Sequence, residues 1–286
     1  MPNPPAASLP YLPLDGSPMR MSLGLRPLDL ARWLERGPQH EQTMAHKRTM
    51  LASAHDQVVA TVPEGLAGSV ETRDLVADWL RRYGPDEPVS PDEDVHPVDA
   101  AGRLVADDLC VLYPDGSQWR LGAASVCSPS RWRLPEKIGR TVAEIHRPVP
   151  QYAGWYGDAV DARLDRLSAD RPLWRLNWTI VDDPALFQPR PPEHAPAPAG
   201  VDLADLTVRV ERQTLRRLPR TGAIVFTIRT DRARLSDLAA DPAVAADAAR
   251  TLRTCPADLA AYKGWAAMLP RVITLLDQAA GLGSRT

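Results

Sequence analysis

The chain has 286 residues, 44% of them hydrophobic and 24% charged, which is the composition of a folded globular protein. Its formal net charge is -2, so no bulk electrostatic attraction draws it to nucleic acid or to an anionic membrane. No apolar run approaches the length of a bilayer span, and the proline-rich N-terminus lacks the apolar stretch of a signal peptide.

The three cysteines, Cys110, Cys127 and Cys255, are far apart and form no C-x-x-C pair. They predict neither a disulfide framework nor an iron–sulfur or zinc ligand set, which fits a reducing cytoplasm. Residues 1–20 are punctuated by proline and predict an arm on the surface, with 21–280 forming a single domain. Asp29 can cap a helix through Trp33 to Arg36. Helices are expected over Gln39–Val58 and Val70–Tyr83, the second ended by Gly84-Pro85. The acidic, proline-rich stretch Pro88–Pro97 predicts an exposed, solvated loop.

From Leu104 the period changes. Asp108–Tyr113 and Trp119–Val126 predict two strands joined at Pro114-Asp115-Gly116-Ser117. Pro135 suits the first turn of a helix, and Ile138, Val142 and Ile145 fall on one helical face. His146 sits at the end of that helix, and Pro148 forbids its continuation. Arg171–Val181 predicts a strand, and Thr207–Leu215 with Gly222–Thr230 a hairpin. Helices over Leu235–Ala240, Pro242–Arg253 and Pro256 to about Leu269 close the chain. Five strands, mainly in hairpin order, with helices on one side give an α+β fold built on an antiparallel sheet.

None of the common phosphate-binding, hydrolase or metalloprotease motifs is present, so any chemistry belongs to a cofactor. A helix-end histidine is ordinarily a capping or dipole-stabilised residue, and it can also serve as an axial ligand. In the last strand Ala223, Val225, Thr227 and Arg229 share a face, and Ile224, Phe226 and Ile228 share the other. Arg229 therefore points with small residues, either into solvent or to where a flat ligand fits. Arg175, Asn177 and Trp178 form a polar–aromatic group on another strand. Glu211, Arg212 and Gln213 are a buried network or an edge. Tyr152 is either half-buried or a hydrogen-bond donor.

The segments VCSPSRWRLPEKIG, IHRPVPQY, RLNWTI and ERQTLRRLPRTGAIVFTIRT resemble the haem subunit of the haem-dependent oxidative N-demethylases, from about Val105 to Lys263, with a weaker echo at Met21–Leu34. The resemblance implies a PAS-like haem pocket and the oxidation of dimethylamine or a similar small secondary amine by oxygen. It implies b-type haem held by His146, with Arg175 and Trp178 also binding the cofactor. Arg229 and Tyr152 would form a distal catalytic pair. Electrons would come from NADPH through flavin and iron–sulfur centres on separate reductase chains. One departure stands out: Asp231 occupies the position of an expected tyrosine. Two other readings stay open, a haem-based gas-binding module without catalysis and a haemless interaction protein.

Overall fold

A computed structural model describes residues 9–19, 23–84, 90–149, 157–189 and 200–282. Seven strands form one antiparallel sheet: β1 (Arg26–Pro27), β2 (Val59–Thr61), β3 (Asp108–Asp115), β4 (Gln118–Ser125), β5 (Leu173–Val181), β6 (Thr207–Arg217) and β7 (Ile224–Arg234). Their order is β1-β5-β6-β7-β3-β4-β2. The five long strands are those expected from alternation and turn chemistry; β1 and β2 are short additions at the two edges. Gly116 and Gly222 sit at the two hairpin connections with φ of 61° and 70°, a conformation that suits glycine.

The helices are α1 (His40–Ser53), α2 (His55–Val58), α3 (Leu66–Tyr83), α4 (Pro97–Leu104), α5 (Val142–His146), α6 (Gly157–Asp165), α7 (Leu235–Leu238), α8 (Pro242–Arg253), α9 (Ala257–Tyr262) and α10 (Leu269–Ala279). They cover both faces of the sheet, not one. On the first face α3, α4, Trp33 and Leu34 pack on Val111, Ala123 and Val225. Further along the same face α8 and α10 pack on Ile180, Val208 and Val210. On the second face α5 and α6 pack on Leu215, Ile224, Phe226 and Cys110.

Other expectations need correction. The helix foreseen from Pro135 to His146 is two pieces. A 3-10 turn over Leu134–Glu136 ends before Gly139 (φ 74°), and α5 begins afresh behind a Thr141–Glu144 capping box. The Gln39–Val58 helix breaks at Ala54, and the Asp29 cap holds only a single turn, Leu30–Arg32. The acidic loop gives way to α4 at Pro97, with His96 as its cap. The described part of the N-terminal arm is docked: Leu14 is 1% exposed, within the cluster formed by α8 and α10.

Candidate functional site: the cleft beneath His146

Strand parity decides which residues can meet. Arg212 pairs with Arg229, and Thr214 with Thr227, so these four point to the first face together with Val225. Arg175 pairs with Gln213, and Gln213 with Ile228, so these point to the second face with Glu211, Leu215 and Phe226. Along β6 and β7 the first-face residues Val210, Arg212, Thr214, Val225, Thr227 and Arg229 are buried, whereas Glu211, Gln213, Leu215, Phe226 and Ile228 are only half-buried. Central strands left half-buried on one face offer a candidate floor for a bound group. Its apolar part is Leu215, Phe226 and Ile228; its polar part is Arg175, Asn177, Glu211 and Gln213.

His146 stands over this floor. Val142 and Ile145 of α5 anchor the helix in the cluster that holds Leu215 and Phe226. The imidazole Nδ1 lies 2.8 Å from the Val142 carbonyl oxygen. A carbonyl only accepts, so in the neutral ring Nδ1 carries the proton and Nε2 the lone pair. By area the side chain is exposed, yet burial is the largest influence lowering its pKa. The Val142 bond pulls the pKa up, and the nearby Arg175 and Lys137 push it down. The ring is thus kept neutral, the state in which imidazole ligates iron.

The polar end is a hydrogen-bonded group. Glu211 Oε2 accepts from Asn177 Nδ2 at 3.1 Å and from Gln213 Nε2 at 2.9 Å. Lys263 donates to the Trp178 carbonyl at 2.7 Å and lies 5.2 Å from the Trp265 ring centroid. Burial lowers its pKa to about 8, Arg175 pushes the same way, and Glu211 opposes both. Arg175 is the cation at this end of the second face, and Lys263, over the Trp178 and Trp265 rings, adds its charge from the neighbouring cluster. Among the described residues no group of three or more His, Cys, Asp or Glu converges into a metal cage. The donor set is one neutral imidazole, an apolar floor and a cationic end. It fits a flat prosthetic group with one protein ligand and anionic substituents, which describes haem.

Of the expected site residues, His146 and Arg175 come together. Trp178 does not join them. It pairs with Val210, faces the first side, and packs 5.5 Å from Trp265 in the C-terminal helical cluster. Arg229 is likewise on the first face, 3% exposed. Its Nε donates to Asp231 at 3.1 Å, and its Nη1 donates to the Glu35 carbonyl oxygen at 2.6 Å. Arg229 therefore faces the side of the sheet opposite the His146 cluster. Asp231 faces the same side, so it does not shape the cleft. Tyr152 lies outside the described residues. The sequence reading passed over Leu215, Phe226, Ile228 and Lys263, although long apolar and polar side chains alternating at 211, 213, 215, 226 and 228 were visible.

Taken together, this is an α+β protein with a single helix-borne histidine above a half-open sheet. The family model described as "Haem-dependent oxidative N-demethylase, alpha subunit-like" matches residues 83–273, most of the chain and the whole of this cleft. The chain belongs to that family. Among the described residues no helix is long and apolar enough to cross a membrane.

Proposed function

We propose that the cleft holds b-type haem and that the protein oxidises a small secondary amine, similar to dimethylamine, at an N-methyl carbon. The observation that carries the reading is the His146 ring, with its tautomer fixed by Val142 and its lone pair at Nε2. Counting only the five long strands, the sheet runs 2-1-5-4-3, and the segment between the second and third carries His146. We read this as a PAS-like fold, with the prosthetic group between helix and sheet.

His146 would hold the haem iron, with Val142 the group that orients its ring. Arg175 would pair with a propionate, a charge-assisted contact that also fixes which way the plane lies. Leu215, Phe226 and Ile228 would exclude water from the plane. Haem, when bound, supplies the oxygen-activating iron. Tyr152, six residues after His146, is kept as the donor to oxygen or substrate. The cations at the polar end disfavour a second positive charge, so the amine would enter as its free base. Electrons would come from NADPH through flavin and iron–sulfur centres on partner chains, which the alpha-subunit description suggests. The protein would work in the cytoplasm.

The test is an absorption spectrum after expression with haem supplied. A Soret band is expected at near one haem per chain, and His146→Ala should lose tight binding or shift the band. A haem-free wild type would overturn the reading, and an unchanged spectrum in the variant would remove His146 from the ligand role.

A further inference from the structure

A second hollow lies on the first face of the sheet, away from the His146 cleft. Its volume is about 640 Å³, within the range of small-molecule sites. Trp79 and Tyr83 of α3 form its aromatic wall, and Arg81, Arg82 and Arg216 line it with the single carboxylate Asp78.

The charges here are not balanced internally. Asp78 is already paired with Arg81. Arg82 lies 6.0 Å from the Tyr83 ring and takes part in no ion pair among the described residues. Arg216 is half-buried, 4.5 Å over the Trp33 ring, and its buried Nε has no hydrogen-bond partner. Glu71 is the carboxylate that acts on Arg216, but it is committed elsewhere. It accepts from the backbone N–H of Arg220 at 2.7 Å and of Thr221 at 2.8 Å. Burial depresses the Arg216 pKa, as expected of a cation lacking an anion. Tyr83, 44% exposed, is one of the large hydrophobic side chains left open to solvent. A desolvated guanidinium with an orphaned donor is unfavourable until an anion meets it, and the exposed Tyr83 ring, backed by buried Trp79, favours a flat ring.

We propose that this hollow binds a small flat anion, an aromatic or heteroaromatic ring bearing a phosphate or carboxylate group. Arg216 and Arg82 take the anionic group, and Trp79 and Tyr83 take the ring. The site stands apart from the N-demethylase reading and does not depend on it.

Phenyl phosphate and inorganic phosphate serve as probes, titrated into the full chain by calorimetry and by tryptophan fluorescence, since Trp33 and Trp79 adjoin the site. Phenyl phosphate is expected to bind saturably and several-fold more tightly than phosphate. Arg216→Met and Arg82→Met should each weaken it about tenfold or more, the usual effect of losing a charge-assisted hydrogen bond. His146→Ala should leave it unchanged, which separates this site from the cofactor cleft. Arg82 is at an exposed helix end, so its variant reports even if Arg216→Met fails to fold. No saturable binding of phenyl phosphate, equal binding by wild type and Arg82→Met, or equal affinity for the two probes would each overturn the proposal.

Discussion

Asp107, at 2% exposure, has an Oδ1 with no hydrogen-bond partner. Burial raises its pKa to about 6, against the opposing pull of Arg229, Arg212, Lys47 and Thr227. The folded value thus lies above the unfolded 3.8, so the native state holds this proton more tightly. The resulting stability is complete below the unfolded value and is lost as pH rises through about 6. The loss is on the order of 3 kcal/mol. Asp107→Asn cannot ionise, so denaturant titrations should show its stability gaining on wild type between acid and neutral pH. Parallel pH profiles would show that Asp107 does not titrate there. At this scale the residue types were readable and their surroundings were not. Arg229 was assigned to the correct side of its strand relative to Phe226. Which side is open depends on the 28–37 segment, whose Trp33, Leu34 and Glu35 close over Arg212 and Arg229. Strand alternation cannot show where a distant segment will lie.

At the level of elements, the β6–β7 hairpin is tied to α3 by Glu71, alongside an Arg220–Asp74 ion pair at 2.8 Å. Glu71, 1% exposed, accepts from the backbone of Arg220 and Thr221 and from the Thr221 hydroxyl at 2.7 Å. Glu71→Ala would remove the acceptor of two part-buried turn N–H groups, at about 1–2 kcal/mol of stability. Urea unfolding tests this, and a change below about 0.5 kcal/mol, typical of a surface site, would show the tie to be idle. The hairpin itself was legible, because its strands alternate and a Pro-Arg-Thr-Gly turn joins them. The helix below His146 was misread for a local reason. Ile138, Val142 and Ile145 do share one apolar cluster, as helical spacing predicts, but a turn and Gly139 bring them there. The capping box Thr141-x-x-Glu144 marked the true start. Likewise Gly264, with φ 71°, ends the helix that was read through to Leu269, and α10 then runs to Ala279.

Viewed whole, the sheet is a partition. One face is packed by the N-terminal segment and by helices from both halves of the chain. The other carries His146 and Arg175. The sequence holds no C-x-x-C pair and no dinucleotide motif, so it has no evident route for electrons from a nicotinamide. Haem-loaded chain with NADPH and dimethylamine is therefore expected to show no sustained NADPH oxidation until a reductase chain is added. Steady turnover by the single chain would overturn the multi-chain arrangement. The fold class could be read from the order of strands and helices; the partition could not, because it is made by contacts between the ends of the chain.

Those contacts also govern when the molecule can be completed. Gly16 N–H donates to the Thr251 hydroxyl at 3.0 Å and Met19 N–H to Thr254 at 2.8 Å, each across 235 residues. During synthesis the first segment leaves the ribosome long before α8 exists to receive it. Leu14 then waits in water through most of translation, and its docking can only be among the last steps. A ribosome stalled before Thr251 would hold a nascent chain in which Tyr11 can meet Glu35 and Trp174 but Gly16 and Met19 lack their α8 partners, leaving that stretch exposed to chaperones and proteases.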